Sequence, residues 1–166
     1  METLLPKEIS PMRGFQSAAV LGLLTSAGLA TGRAQTPEQQ VTRVVEALAT
    51  LSVAKDLAGL DTLYAPDPSV RVIEGAGVNK GWADYRDHHL GPELKEMKNF
   101  RYRYYDVEPQ VRGAVAWASF RYEMAVDTPT GPGASEGRGT AVLENRNGRW
   151  LVVHLHTSGR RKVPAP

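Results

Sequence analysis

Hydrophobic positions recur at helical spacing early in the chain, where Val41, Val44, Val45, Leu48 and Leu51 fall on one face. Thr36-Pro37-Glu38-Gln39 precedes them: a threonine able to cap, a proline suited to the first helical position, and a glutamine that completes a capping box. The pattern predicts a helix from Pro37 that breaks at Ser52. A short second helix then runs through Leu57, Leu60 and Leu63 to Tyr64, where Ala65-Pro66-Asp67-Pro68 stops it. Ser69–Glu74 is rich in β-branched residues and reads as a strand, and Gly75-Ala76-Gly77 as a loop. A further helix is predicted from Gly81 or Trp82 to about Leu90, interrupted by Gly91-Pro92 and resuming to Met97.

Beyond that point the period changes to two. Phe100–Val111, Ala114–Asp127, Gly137–Glu144 and Arg149–Thr157 all read as strands, the last two joined at Asn147-Gly148, a favoured hairpin turn. Thr128–Ala134, with two prolines and two glycines, reads as a flexible loop. Helices followed by a run of long strands give an α+β order rather than βαβ alternation. The expected architecture is a curved antiparallel sheet with helices packed on its concave face. The outer face of such a sheet needs a cover of its own, commonly a partner subunit.

At 166 residues the chain is one domain on size grounds, and 42% hydrophobic with 23% charged residues suits a packed core. A net charge of +2, from 20 basic and 18 acidic residues, gives no electrostatic footprint for nucleic acid. The absence of cysteine excludes disulfides, thiolate metal sites and a cysteine nucleophile. Residues 1–34 read as a secretory signal peptide. Arg13 precedes an apolar stretch from Ala18 through Ala30, and Gly32 and Ala34 fit a cut before Gln35, with Met12 an alternative start. That stretch is too short for a spanning helix. The expectation is therefore a periplasmic or secreted protein with no stable membrane insertion after the leader is removed. A domain at 35–159 follows, and then a mobile basic tail at 160–166.

Several segments carry a family likeness: Asp61-Thr62-Leu63-Tyr64-Ala65-Pro66-Asp67, Gly81-Trp82-Ala83-Asp84-Tyr85, Gly137-Arg138-Gly139-Thr140, and above all Asn147-Gly148-Arg149-Trp150-Leu151-Val152-Val153-His154-Leu155-His156-Thr157-Ser158-Gly159. With them the chain resembles the nuclear-transport-factor-2-like superfamily, in particular its SnoaL-like branch. The last run is also similar to the association (hub) domain of the calmodulin-dependent protein kinases. The resemblance implies an α+β conical half-barrel, with a pocket between the sheet's concave face and the helices, and a homodimer. Its members include isomerases, cyclases, hydrolases, ligand binders and oligomerisation hubs, so it does not fix an activity. Hub domains bind small carboxylates through arginines and a histidine. In the alignment this resemblance implies, Arg121 falls on one such arginine and Tyr85 on the histidine, while Ala141 and Thr157 stand where further arginines would be.

The candidate chemistry follows from these readings. His89 lies four residues after Tyr85, so the two share a helix face and suit acid–base work, with Arg121 as a third member of the site. A helix-end histidine in contact with solvent is the plain alternative. Trp82, Tyr102, Trp117 and Arg138 are candidate pocket residues for a small, partly apolar ligand. His154 and His156 stand two apart on the last strand, on one face with Trp150 and Val152 if alternation is unbroken. They read either as a metal pair, with a third ligand from His88 or His89 and Glu74, Asp84 or Glu123 behind it, or as a structural or interface pair. The alignment that places Arg121 and Thr157 in the pocket turns them to the opposite face, which favours the second reading, and a bulge would change that facing. No motif calls for a cofactor. Two functions remain open: an exported small-molecule binder with isomerase- or lyase-like chemistry, and a non-catalytic dimerisation or ligand-binding module.

Overall fold

The computed structural model describes residues 34–128 and 131–162. The expected leader up to Arg33, Pro129, Thr130 and the last four residues lie outside the described residues. α1 spans Pro37–Val53 and starts as its sequence dictates. Thr36 Oγ1 accepts from Gln39 N at 3.3 Å, and Gln39 Oε1 accepts from Thr36 N at 3.0 Å. Val41, Val45, Leu48 and Ala49 are buried along its inner face. Ser52 does not break the helix as expected. Its hydroxyl donates back to Leu48 O at 2.7 Å, which satisfies a buried polar group inside the last turn. The chain turns at Lys55, whose φ is +55°, and α2 is only Leu57–Asp61, capped by Asp56. Leu63 to Ala65 leave the helix to bond Val152 of the last strand (Val152 N to Leu63 O 2.8 Å, Ala65 N to Val152 O 3.0 Å).

β1 (Arg71–Glu74) turns back into β2 (Gly77–Lys80). This second strand goes unread in the sequence because Val78 is its single apolar residue. α3 (Trp82–Tyr85), a π-helical turn (Arg86–Leu90) and α4 (Gly91–Glu96) follow without the expected interruption. Pro92 lacks an N–H and would crowd the carbonyl four residues back. The widened turn absorbs that conflict, with Gly91 N–H donating to Arg86 O.

β3 (Lys98–Arg112), β4 (Val115–Thr128), β5 (Gly131–Arg146) and β6 (Arg149–Arg161) form the body of a six-stranded sheet of order β2-β1-β6-β5-β4-β3. The sheet is open and mixed rather than wholly antiparallel, because β1 pairs with β6 in parallel. Two segments read as irregular are strand. Gly131–Ala134 pairs with β4, and Pro132 is tolerated there because β5 has run past the paired length of β6. Arg160 and Arg161 belong to β6, and Arg160 pairs with Glu136 at 2.8 Å. Among the described residues no helix is long and apolar enough to cross a membrane.

The helices cover one face of the sheet, and β4 shows which: Ala116, Ala118, Phe120 and Tyr122 are buried beneath them. Opposite these rings β5 supplies Gly137 and Gly139. A methyl group at Gly139 would overlap the Phe120 ring, and one at Gly137 would meet Tyr122. The glycines let the aromatics lie against the backbone, and Phe120 stacks on Tyr104 at 4.2 Å between centroids. β6 changes parity once. Val142 pairs with His154 but Leu143 with Val152, leaving Val153 as the extra residue of a β-bulge. Trp150 and Val152 point inward before it and Leu155 and Thr157 after it. His154 and His156 therefore face outward, opposite to the two residues that unbroken alternation grouped them with.

Candidate functional site

Between α1, the π-helical turn, α4 and the sheet lies a small cavity of about 60 Å³, room for a few waters. Leu48, Leu60, Leu94, Phe100 and Leu155 supply apolar wall, and Tyr64, Tyr85, Tyr102, Tyr104 and Glu74 supply polar atoms. β1 positions Glu74. Val70 and Val72 are fully buried, and period-two alternation sends the next side chain in the series the same way. Its carboxylate is held above the ordinary range by burial, offset by the His89 ring and by a hydrogen bond from Tyr85.

The π-helical turn places His89 one layer behind. Its Nδ1 lies 2.9 Å from Asn79 Oδ1 on β2, and an amide oxygen accepts, so Nδ1 donates. Nε2 is then left 3.5 Å from Glu74 Oε2 and 3.2 Å from Glu93 Oε1. One ring nitrogen thus bridges the Glu74 and Glu93 carboxylates. The His89 ring also meets Tyr85 edge-on at 5.2 Å. Burial raises Tyr85, Tyr102, Tyr104 and Tyr64 well above the usual phenol range, so all four stay protonated donors at neutral pH. The Tyr102 and Tyr104 hydroxyls lie 3.0 Å apart.

Of the residues singled out from sequence, Tyr85 and Tyr102 line this cavity and His89 supports it from behind. Trp82 is buried outside the lining. It stacks on Tyr64 at 4.1 Å and donates Nε1 to Asp61 Oδ1 at 2.6 Å, and the same carboxylate takes Arg86 at 2.9 Å. That cluster fixes the helical hairpin over the tyrosines.

The expected grouping of Arg121, Arg138 and Trp117 with Tyr85 and His89 is not formed. All three lie on the outer face, Arg121 54% exposed beside Asp106 and Trp117 40% exposed. Alternation separated the two faces of β4 correctly but could not tell which faced in, since each carries aromatic residues. His154 and His156 share that outer face, and burial, then the neighbouring His156, lowers His154. Among the described residues no group of three His, Cys, Asp or Glu side chains is placed to hold a metal ion. Glu74, read in the sequence only as an acceptor behind a histidine, is the residue that sequence reasoning undervalued. Its signal was present, an acid continuing the inward series Val70, Val72.

Residues 41–162 match the SnoaL-like domain family. No curated protein sequence matches the chain. Among solved structures, a nuclear transport factor 2-like superfamily protein from Salmonella enterica serovar Typhimurium superposes with a TM-score of 0.69 at 20% identity, covering 75% of this chain and 92% of that one. A candidate ketosteroid isomerase from Shewanella frigidimarina gives 0.61 at 20% identity, covering 70% and 92%. The CaMKII hub of S. rosetta gives 0.60 at 20% identity, covering 76% and 99%. At these identities the likeness shows the fold and leaves the chemistry to the site. With the family match running over most of the chain and these neighbours sharing its α+β fold, the protein belongs to the SnoaL-like domain family.

Proposed function

We propose that the domain binds a small, partly apolar molecule in the cone and moves a proton on it, in the manner of an isomerase or lyase. The observation that carries this reading is Glu74, a carboxylate raised by burial, bonded by Tyr85 and set 3.5 Å from His89 at the edge of a small, largely apolar cavity. A base works best when its proton affinity approaches the working pH, and desolvation moves Glu74 in that direction. Glu74 removes a proton next to a carbonyl, and a tyrosine hydrogen not already given to Glu74 or to a neighbouring tyrosine stabilises the oxygen that gains charge. His89 touches no ligand here. It holds the Glu74 carboxylate and passes its proton toward Glu93 and solvent. The cavity admits only the reacting end of a ligand.

The test is hydrogen–deuterium exchange at carbon, followed by NMR in D2O across a panel of small enolisable carbonyl compounds. The wild-type domain is expected to accelerate exchange in at least one, and Glu74→Gln to lose roughly 10²–10⁴-fold of that rate. Exchange no faster than in buffer across the panel, or equal rates in Glu74→Gln, contradicts the proposal.

A second observation favours self-association. Of the four exposed large hydrophobic residues among the described ones, Val78, Val115 and Trp117 lie on the outer side of the sheet. We infer a homodimer through that side, which leaves the cone open. Export is also part of this reading and rests on residues 12–34. Mass spectrometry of the mature protein checks it, with Gln35 expected as the first residue.

A further inference from the structure

We propose that the polar end of the outer face holds a site for a small oxyanion, a carboxylate or phosphate group, seated on Arg138 between β5 and β6. The register of the sheet sets up the argument. Arg121 of β4 stands directly opposite Arg138 of β5, and Arg138 opposite Ser158 of β6. Like charges directly opposite each other in a sheet are destabilising. The neighbouring row has the same problem with opposite sign, Glu123 against Glu136, and the chain solves it: Arg103 binds Glu123 at 3.0 Å, Lys162 binds Glu123 at 3.0 Å, and Arg160 binds Glu136 at 2.8 Å.

The arginine row receives no such compensation. Arg121 has Asp106 at 3.8 Å, a long contact, and rests over the Tyr105 ring. Arg138 has neither a hydrogen bond nor an ion pair among the described residues.

These groups line a groove of about 570 Å³, large enough for a small organic acid or a phosphate ester. Its two acids lie on the β3 side, Asp106 beside Arg121 and Glu108 accepting from Ser119 at 3.4 Å. On the β5–β6 side Arg138 is bordered by Thr140, His156 and Ser158, all able to donate. Glu136, the nearest acid there, is engaged by Arg160 and Lys162. A guanidinium with open donors, a second one across the strand and hydroxyls around them fit a group with two or more acceptor oxygens. The site stands on the far side of the sheet from Glu74 and does not depend on the chemistry proposed for the cone.

The test uses the folded domain at constant ionic strength, titrated with inorganic phosphate, with succinate and with sodium chloride as the charge control. Heat of binding and amide chemical shifts are the readouts. Saturable binding of phosphate or succinate but not chloride is expected, phosphate alone marking a phosphate ester and succinate alone a carboxylate. Arg138→Gln should weaken it about tenfold, the loss of one charge-assisted contact. Arg161→Gln, a nearby exposed arginine outside the groove, should change it less than about twofold if only general screening acts. Arg138→Lys, which keeps the charge and loses the fork, should fall between. No saturation by either probe, or equal weakening by Arg161→Gln, overturns the proposal.

Discussion

Glu74 sits under two opposing influences. Burial disfavours its charge, while the His89 ring and the Tyr85 hydroxyl favour it, and burial prevails. A carboxylate with a raised folded-state pKa is protonated more readily in the fold than in the unfolded chain. Its protonated form therefore supports folding. That support is complete below the ordinary carboxylate range, is lost as pH rises through the raised folded value, and is absent above it. Glu74→Gln mimics the protonated form at every pH. Its melting temperature is expected to gain on the wild type as pH climbs from the ordinary carboxylate value of about 4.3 and to hold a constant lead at neutrality. Calorimetric scans from acid to neutral pH check this, and parallel curves for the two proteins would contradict it. None of this was visible in the sequence beyond the place of Glu74 in an inward series, because the cover over it comes from residues far along the chain, among them Met124 and Leu155.

At the level of elements, local chemistry was legible and parity was not. The Thr36–Gln39 capping box specified the start of α1, and Asn147-Gly148 marked the final hairpin, where both residues have positive φ. These are short-range signals that need no tertiary knowledge. The facing of β6 turns on one extra residue, Val153, which separates His154 and His156 from Trp150 and Val152 and leaves them outward, the side implied by the alignment that placed Thr157 in the pocket. The facing of β4 was settled by what β5 offers opposite it, glycine at 137 and 139. Gly139 is thus a packing residue, and Gly139→Ala is expected to destabilise the fold by about 1–3 kcal/mol through overpacking against Phe120. Chemical denaturation measures it. A change within about 0.5 kcal/mol, usual for surface sites, would mean the Phe120 ring is not pinned there.

At the scale of the molecule, the fold sorts its functional groups by face. The cone holds Glu74, the tyrosines and, behind them, His89. The outer face holds the arginines, Trp117 and the paired histidines. Element order was enough to read an α+β curved sheet with helices on one face, since helices followed by long alternating strands leave few packings, and the family resemblance added the cone. They could not distribute residues between faces, and that is where the expected site divided into two. If the outer face also mediates dimerisation, Trp117→Glu should yield a monomer by analytical ultracentrifugation while retaining the helical and sheet content of the wild type. A wild type that is monomeric at all concentrations would contradict that assignment. Trp117 stands four residues from Arg121, roughly 14 Å along β4, but Val78 shares the cross-strand row of His156, Thr140 and Ser119 at the near end of the groove. A dimer through this side is therefore expected to narrow that end, with Arg121 and Arg138 one row beyond it.

Glu74 is held as a largely buried carboxylate, 31% exposed, beside His89 at the edge of the cavity, with its proton affinity raised. Carbon-13 NMR of the domain labelled at glutamate carboxyls reports on it directly. The account predicts one resonance, absent in Glu74→Gln, that titrates above the remaining glutamates and moves higher still in His89→Gln, because the ring's charge is then gone. A Glu74 resonance that titrates with the surface glutamates and ignores His89→Gln would contradict it.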